Sequence, residues 1–275
     1  MGDLFDNGRR ITDEEYGREL KRFRKTFENR DGIKTIYLSG NHDIGLENWE
    51  KKILDRFEKH FMPLNFNYAI NSKMNIIGVN SMYLGTPIYD FLLKNVDAEN
   101  SKNILLTHIP LYRDGLCQND DFDTRMGTKS RSRPLEEGYG AGYRNMLNPS
   151  DSKKLVSLTK PILVLSGDDH EYCKFQHNVY EHTVTEHTIP TFSMLQGTFK
   201  YGYGILTLDM ERNSVHDLSI YYLPKIWNIF IFYAILFIIA TIYSIFKFKS
   251  VLSYLSILTV CLLTYVLCQV WWWIL

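Results

Sequence analysis

Four short segments hold the side chains of this sequence that could act together in chemistry. In chain order they are Gly2-Asp3-Leu4-Phe5-Asp6, Gly40-Asn41-His42-Asp43, Thr107-His108 and Ser166-Gly167-Asp168-Asp169-His170. Carboxylate and amide oxygens and imidazole nitrogens bind divalent cations, and two such cations close together can clamp a phosphate, polarise it and activate a water molecule. The four segments therefore predict a binuclear metal site that acts on a phosphate ester.

The predicted metal ligands follow from the side-chain types. Asp3 is the natural carboxylate to bridge two cations. An amide oxygen comes from Asn41, and imidazole nitrogens come from His108 and His170. Each element alone has a plainer explanation, because histidines at strand ends are often structural, Gly-Asp pairs are common in turns, and Asn-His-Asp can cap a helix. The order of the four segments and their shared strand-end context favour the metal site.

His42 and Asp43 are the predicted catalytic residues. His42 directly follows a predicted ligand and points elsewhere, which suits a general acid that protonates the departing oxygen. Asp43 could hold that imidazole in its charged form by accepting a hydrogen bond from it.

Short apolar strands are the elements that must position these segments. Residues 33–38, 103–106 and 161–165 are apolar runs that lead into the second, third and fourth segments, and the end of a rigid strand is a good place to present a ligand. Further strands are predicted over residues 66–70, 74–80, 188–195, 204–208 and 217–222. Helices are predicted over residues 12–27, 46–60, 88–96 and 151–159, and an irregular functional loop over 110–150. Strands that alternate with helices before a strand-rich tail predict an α/β sandwich.

Two uncharged segments near the C-terminus predict membrane spans. Residues 226–246 and 250–275 contain no charged side chain, and about 20 apolar residues suffice to cross a bilayer. The connection between them is so short that it forces a helical hairpin, and its lysines, Lys247 and Lys249, favour a cytosolic loop. Residues 1–225 would then lie on the lumenal side, although residues 1–30 carry no recognisable targeting segment.

Overall charge and cysteine positions narrow the class of protein. The chain has 31 basic and 31 acidic residues, a balance that argues against a general nucleic-acid binder. Cys261 and Cys268 fall within a predicted membrane span. Cys117 and Cys173 could form a disulfide in an oxidising lumen, whereas in the cytosol they would stay free.

The four segments resemble the motifs of the calcineurin-like metallophosphoesterase superfamily. That superfamily carries D-x-H, G-D-x-x-D, G-N-H-[DE], a lone His and G-H-x-H in this order, and this chain has GDLFD, GNHD, THIP and SGDDH. The stretches GNHDIG, THIPLYRD and SGDDHEYC look closer still to the fungal cell-division-control-type branch. Over about residues 1–222, the resemblance implies an α/β fold, a metallophosphoesterase β-sandwich flanked by helices, with two divalent metal ions, usually Mn²⁺.

Site roles and a substrate also follow from the resemblance. It places Asp3 between the metals, Asn41 and His108 on the second metal, and His170 on the first. Asp168 stands where the wider superfamily has the first His of G-H-x-H, and a carboxylate can replace imidazole as a ligand. The fungal branch removes ethanolamine phosphate from a mannose of the glycosylphosphatidylinositol (GPI) anchor. The implied substrate is therefore a GPI-anchor glycolipid or another phosphodiester, in the endoplasmic reticulum or Golgi membrane.

One superfamily motif, D-x-H, has no counterpart before Gly2. We therefore expect a metallophosphoesterase domain at residues 1–222 that lacks the strand carrying it, followed by transmembrane helices at 226–246 and 250–275. A longer form of the protein would supply both that strand and a targeting segment, and its soluble domain would be lumenal. Two other readings stay open: a catalytically inactive membrane protein of the same fold, and a phosphoesterase with a different substrate.

Overall fold

The computed structural model of the chain divides into two units, residues 1–223 and residues 224–275. The structure describes residues 1–27, 32–46, 50–118, 138–140, 143–196, 198 and 200–248, together with 256, 259 and 261. All the predicted ligands lie in the first unit.

A six-stranded mixed sheet forms the centre of the first unit. Its strands are β1 (Phe66–Ala69), β2 (Met74–Gly78), β3 (Lys102–Leu106), β6 (Pro161–Ser166), β7 (Cys173–Val179) and β8 (His182–Thr188). A separate small hairpin contains β4 (Tyr139–Gly140) and β5 (Tyr143–Arg144). The order across the sheet is β1-β2-β3-β6-β8-β7, with parallel pairing from β2 to β8 and antiparallel strands at both edges. Because the carboxyl ends of parallel strands meet at one edge, the segments after β3 and β6 lie side by side.

The two faces of this sheet are covered differently. Successive residues of a strand point to opposite faces, so Ile104 and Leu105 join separate apolar clusters. Ile104 packs toward Leu206 of a second sheet, which is formed by the antiparallel strands β9 (Gly202–Asp209) and β10 (Ser214–Tyr222). Leu105 packs into the larger cluster, to which helices contribute. The result is a mixed α/β sheet with flanking helices.

Five helices belong to the first unit in its described part: α1 (Asp13–Phe27), α2 (Asn41–Ile44), α3 (Lys51–His60), α4 (Thr86–Asn95) and α5 (Pro149–Thr159). The predicted capping box begins α1, since the amide of Thr12 donates to Glu15 and the amide of Glu15 donates to the Thr12 hydroxyl. Ile88 and Leu92 of α4 and Leu155 of α5 are buried in the larger cluster. These helices close the face of the sheet against which they pack.

Most of the predicted strands and helices are confirmed, and three regions differ. The strand predicted over residues 188–195 is wrong beyond Thr188, the last residue of β8, because Pro190 has no amide hydrogen with which to continue the pairing. Residues 33–38 form no strand in the described structure; the amide of Tyr37 donates instead to the sulfur of Met62, at 3.0 Å. The hairpin of β7 and β8 was not predicted. Two of the buried positions of β8 are Glu186 and Thr188, so the alternation of apolar residues that marks a strand is weak there.

The described part of the second unit is mainly one apolar helix, α6 (Ile226–Phe248). Its stretch Ile226–Ser244 is long and apolar enough to cross a bilayer, and most of its side chains are exposed. By length and composition, this helix is weak evidence for membrane association. The second predicted span, residues 250–275, lies outside the described residues apart from 256, 259 and 261. The predicted hairpin is therefore not shown.

Candidate metal centre

Three of the predicted ligands come together at the carboxyl edge of the central sheet. His108 follows β3 and Asp168 follows β6, and these two strands are hydrogen-bonded neighbours. Asp3 reaches the same place from the N-terminal segment. One ligand atom from each of Asp3, His108 and Asp168 lies within 4.8 Å of the other two. The amide of Asn41, at the start of α2, also reaches this group.

Oxygen atoms converge on one ring nitrogen of His108. Its Nε2 lies 3.1 Å from the Asn41 Oδ1, 3.3 Å from the Asp168 Oδ1 and 3.5 Å from the Asp3 Oδ1. The other ring nitrogen, Nδ1, lies 2.7 Å from the carbonyl oxygen of Met1 and donates a hydrogen bond to it. A histidine that metal binds is oriented in the same way, with the second nitrogen on a backbone carbonyl. Nε2 is thus the nitrogen that faces the oxygens, and these residues fit a bound cation.

The charges around His108 stabilise a positive charge at this nitrogen. Burial by itself lowers the pKa of the imidazole, but the carboxylates of Asp3 and Asp168 outweigh burial and raise the pKa of His108 to about 10. Burial acts to raise the pKa of Asp3, but His108 and the amide of His42 lower it below its ordinary value. The position between imidazole and carboxylates therefore holds a proton or a metal ion, and a metal must displace the proton to bind.

The backbone is strained at three predicted ligands. Asp3, Asp168 and His170 have φ angles of 53°, 60° and 61°, in the left-handed region that residues with a side chain rarely adopt. Such strain costs of order 1–3 kcal/mol per residue and persists where the surroundings enforce it, most often at functional sites. Its concentration in two of the four motif segments supports their assignment to a functional site.

The glycine of the Gly-Asn-His-Asp segment is required by close approach. A Cβ on Gly40 would overlap the carboxylate and the amide nitrogen of Asp3. The glycine therefore lets the N-terminal segment and the start of α2 touch, and the amide of His42 can then donate to the Asp3 Oδ1 at 2.9 Å.

The two predicted catalytic residues lie beside the ligands with different partners. The carboxylate of Asp43 accepts hydrogen bonds from the backbone amides of Leu4, Phe5 and Gly40 at 3.1, 3.0 and 2.9 Å. Burial, followed by the charge of Asp3, raises the pKa of Asp43 to about 6. Among the described contacts Asp43 ties the N-terminal segment to α2, and none joins it to the ring of His42.

His42 is placed where a substrate could reach it. Its Nδ1 lies 2.5 Å from the carbonyl oxygen of Asp6 and donates to it, and 37% of the side chain is exposed. The hydrogen bond to Asp6 therefore fixes the ring through Nδ1, and Nε2 is the ring nitrogen on the side away from Asp6. A role as general acid stays a prediction.

His170 shares the turn with Asp168 but is not part of the group of three ligands found among the described residues. Its backbone carbonyl accepts a hydrogen bond from the amide of Thr191 at 3.0 Å. Its assignment as a ligand of a first metal stays a prediction.

Sequence reasoning missed the residues that support His108. The hydroxyl of Ser81, which is fully buried, accepts from the amides of His108 and Ile109 at 3.2 and 3.0 Å. Ser81 follows β2 in the same way that His108 follows β3, so the signal that would have found it is again a polar residue after an apolar strand. No sequence pattern indicates that the carbonyl of Met1 binds the ring of His108.

A disulfide joins the segments that follow two of the site strands. Cys117 and Cys173 are bonded, with their Cα atoms 5.2 Å apart, within the usual range for a disulfide. Cys117 lies beyond His108 in the chain, and Cys173 begins β7 just after His170. The sequence left this pair open, and the structure places the two cysteines together.

Comparisons with known proteins agree with this site. Residues 1–172 match the sequence model of a family described as calcineurin-like phosphoesterase. Metallophosphoesterase 1 of Danio rerio is 28% identical over 225 residues, which cover 70% of this chain and 56% of that protein. Metallophosphoesterase 1 of Macaca fascicularis is 30% identical over 205 residues, 64% of this chain and 50% of that protein. Cell division control protein 1 of Saccharomyces cerevisiae is 26% identical over 188 residues, 65% of this chain and 37% of that protein. This chain spans about half the length of the two relatives named Metallophosphoesterase 1 and 37% of Cell division control protein 1.

Proposed function

We propose a function from the premise that this chain belongs to the calcineurin-like phosphoesterase family: it is a metal-dependent hydrolase of phosphoric esters. The observation that carries the proposal is the convergence of three side-chain oxygens on the Nε2 of His108, at 3.1 to 3.5 Å. A donor set of oxygens with one imidazole suits a divalent cation such as Mn²⁺, because carboxylate and amide oxygens are ligands that manganese accepts. We propose Mn²⁺ as the metal.

Different residues of the chain would have different roles in this reaction. Asp3, Asn41, His108 and Asp168 would hold one divalent cation, and His170 would contribute to the binding of another. When bound, divalent cations would supply positive charge that attracts the phosphate and activates a water molecule. His42 keeps its Nδ1 proton on the carbonyl of Asp6, so its Nε2 would carry the proton that is transferred to the departing oxygen.

For the substrate, we propose a phosphodiester, namely the ethanolamine phosphate attached to a mannose of a GPI anchor. The resemblance of SGDDHEYC and THIPLYRD to the fungal branch supports this choice, as does the similarity to Cell division control protein 1. The phosphorus of this diester is linked to one oxygen of ethanolamine and to one oxygen of the mannose. Release of ethanolamine phosphate by water breaks the bond between phosphorus and the mannose oxygen, which is the oxygen that His42 would protonate.

We also propose that residues 1–223 face an oxidising lumen of the endoplasmic reticulum or Golgi. The disulfide between Cys117 and Cys173 supports this location, because disulfides persist in oxidising compartments and are rare in the cytosol. The apolar helix α6 is consistent with an anchor in the membrane.

Hydrolysis by the purified full chain in detergent micelles tests the proposal. With Mn²⁺ added, we expect turnover of bis(p-nitrophenyl) phosphate, and we expect Asp168→Asn to reduce it by at least about 10–100-fold through loss of metal. Asp217→Asn, which changes an exposed carboxylate on β10, is the matched control and should leave turnover unchanged. Turnover that survives Asp168→Asn would refute the site.

Two further outcomes separate the remaining readings. Tight binding of Mn²⁺ without hydrolysis of any ester would favour the catalytically inactive protein of the same fold. Hydrolysis of the simple diester, without release of ethanolamine phosphate from a purified GPI glycolipid as followed by mass spectrometry, would favour a different substrate.

A further inference from the structure

A buried ionic group that the proposed reaction does not use lies next to the metal centre. Its members, which we call the arginine cluster, are Arg113, Asp169, Glu186 and Thr188. The side chains of Arg113, Asp169 and Glu186 are at most 2% exposed. The Nε of Arg113 donates to the Glu186 Oε2 at 3.2 Å, its Nη2 donates to the Thr188 hydroxyl, and its Nη1 lies 3.7 Å from the Asp169 Oδ2.

Glu186 alone is enough to explain why Arg113 can be buried. Glu186 pairs with the guanidinium and also accepts from the amide of Leu111 at 3.1 Å, while its Oε2 lies 2.8 Å from the Nε2 of His177. A buried charge needs such a partner, but a buried ion pair gives little net stability. Asp169 is itself a buried carboxylate, so the branch of Arg113 that reaches it supplies positive charge to the turn as well.

Asp169 lies in a strained turn of the candidate site. Its neighbours Asp168 and His170 both have left-handed φ angles. The amide of Asp169 donates to the carbonyl of Gly167 at 2.7 Å, and its own carbonyl accepts from the amide of Glu171 at 2.8 Å. Strained residues on both sides of one buried carboxylate need contacts from outside the turn, because such strain persists only where the surrounding structure enforces it.

Arg113 connects this turn to two other elements that bear on the site. It follows His108 by five residues, and Glu186 and Thr188 belong to β8, which pairs with β6 beside the turn. Arg113 thus lies in the chain after the third motif segment. Its guanidinium contacts both the fourth motif segment and β8. A planar fork with several donors in fixed directions suits this task better than a single ammonium group.

We propose that Arg113 is a positioning residue, which holds the carboxylate of Asp169 and thereby keeps Asp168 in the left-handed conformation that directs its carboxylate to the metal. This inference rests on the proposed function, since Asp168 is a metal ligand only in that proposal. It adds a role for Arg113 and Asp169, neither of which is a ligand in it.

The test uses the full chain in detergent micelles, with Mn²⁺ alone as the probe and free Mn²⁺ measured by electron paramagnetic resonance. We expect Arg113→Lys to weaken Mn²⁺ binding about 10–100-fold, the effect typical of a lost partner of a ligand shell. The lysine keeps a positive charge beside Glu186, but its single ammonium group lacks the separate guanidinium nitrogens that reach Glu186, Thr188 and Asp169. Asp169→Asn leaves the pair of Arg113 and Glu186 intact and should give a loss of the same size.

Combining the two changes distinguishes positioning from general destabilisation. If Arg113 acts through Asp169, then Arg113→Lys adds little further loss in the Asp169→Asn protein, whereas independent effects would add. The visible spectrum of bound Co²⁺ should shift in both variants, since it reports the geometry of the ligands. Asn103→Ala is the control: Asn103 is buried at the opposite end of β3 and bonded to the Thr159 carbonyl, so its loss should lower stability without changing metal binding or the spectrum.

Each outcome decides between the two proposals. Wild-type chain that fails to bind Mn²⁺ would overturn the proposed function and this inference with it. Wild-type binding with unchanged affinity and Co²⁺ spectrum in Asp169→Asn would overturn the inference alone, as would additive losses in the double variant. If Arg113→Lys does not fold, Asp169→Asn by itself still gives this answer.

Discussion

Replacing Ser81 by alanine should weaken the fold and the metal centre together. The Ser81 hydroxyl accepts from the amides of His108 and Ile109, and the serine is completely buried, so water cannot take its place. A buried donor that loses its acceptor costs about 1–3 kcal/mol. Two such amides put the expected loss in the free energy of unfolding of Ser81→Ala at about 2–6 kcal/mol.

Ser152→Ala is the matched control for this change. Ser152 is also a buried serine, and its hydroxyl accepts from one amide, that of Tyr112, at 2.9 Å. It lies on α5 and supports no predicted ligand. We therefore expect a loss of about 1–3 kcal/mol, about half that of Ser81→Ala, with unchanged affinity for Mn²⁺.

Two measurements on the full chain in detergent micelles check this prediction. Urea unfolding followed by intrinsic fluorescence gives the loss in stability, and electron paramagnetic resonance of free Mn²⁺ gives the affinity. Ser81→Ala should bind Mn²⁺ about 10-fold more weakly, because His108 loses a contact that fixes its backbone. The reasoning is refuted if Ser81→Ala costs no more than Ser152→Ala, or if its affinity for Mn²⁺ equals that of the wild type.

Two further predictions concern stability. Removing the disulfide with Cys117→Ser and Cys173→Ser should lower the free energy of unfolding by about 4 kcal/mol, as the closure of a loop with a sequence separation of 56 implies; urea unfolding should show it, and treatment of the wild type with a reductant should reproduce it. Burial by itself raises the pKa of Glu186, but Arg113 and His177 lower it from 4.5 to about 2. Because this folded-state pKa is depressed, the stability from Glu186, roughly 3 kcal/mol, is present above pH 4.5 and is lost as the pH falls toward 2. The stability gap between wild type and Glu186→Gln should therefore be smaller at pH 3 than at pH 6, and a gap independent of pH would contradict this assignment.

The strand ends are where sequence reasoning succeeded. An apolar run followed by Thr107-His108, and another followed by Ser166-Gly167-Asp168, each predicted a buried strand with ligands at its carboxyl end, and both strands are present. This succeeds because burial selects apolar residues along a strand, and the first polar residues after it mark where the strand leaves the core. The capping box at Thr12 succeeded for a similar reason, since capping depends on residues three apart in the chain.

Such local patterns could not predict which residues from distant parts of the chain contact each other. The sequence suggested that Asp43 holds His42, because the two are adjacent, but the Asp43 carboxylate turns to the backbone of the N-terminal segment. The strand β8 was missed because two of its three buried positions carry Glu186 and Thr188, and only Val184 is apolar there. Asp43 contacts the N-terminal segment and Glu186 contacts Arg113, and in each case the partner is far away along the chain.

The sequence by itself determined which chemistry this protein can present: carboxylate, amide and imidazole groups placed after short apolar strands, and an apolar segment long enough for a membrane. Only the tertiary structure decided that Asp3, His108 and Asp168 meet, that the Nδ1 of His108 is held by Met1, and that Arg113 reaches Asp169. The physical reason is that burial and helix capping act on neighbouring residues and leave a local pattern. Hydrogen bonds and ion pairs between distant segments form only after strands β3, β6 and β8 have paired and fixed where those segments lie.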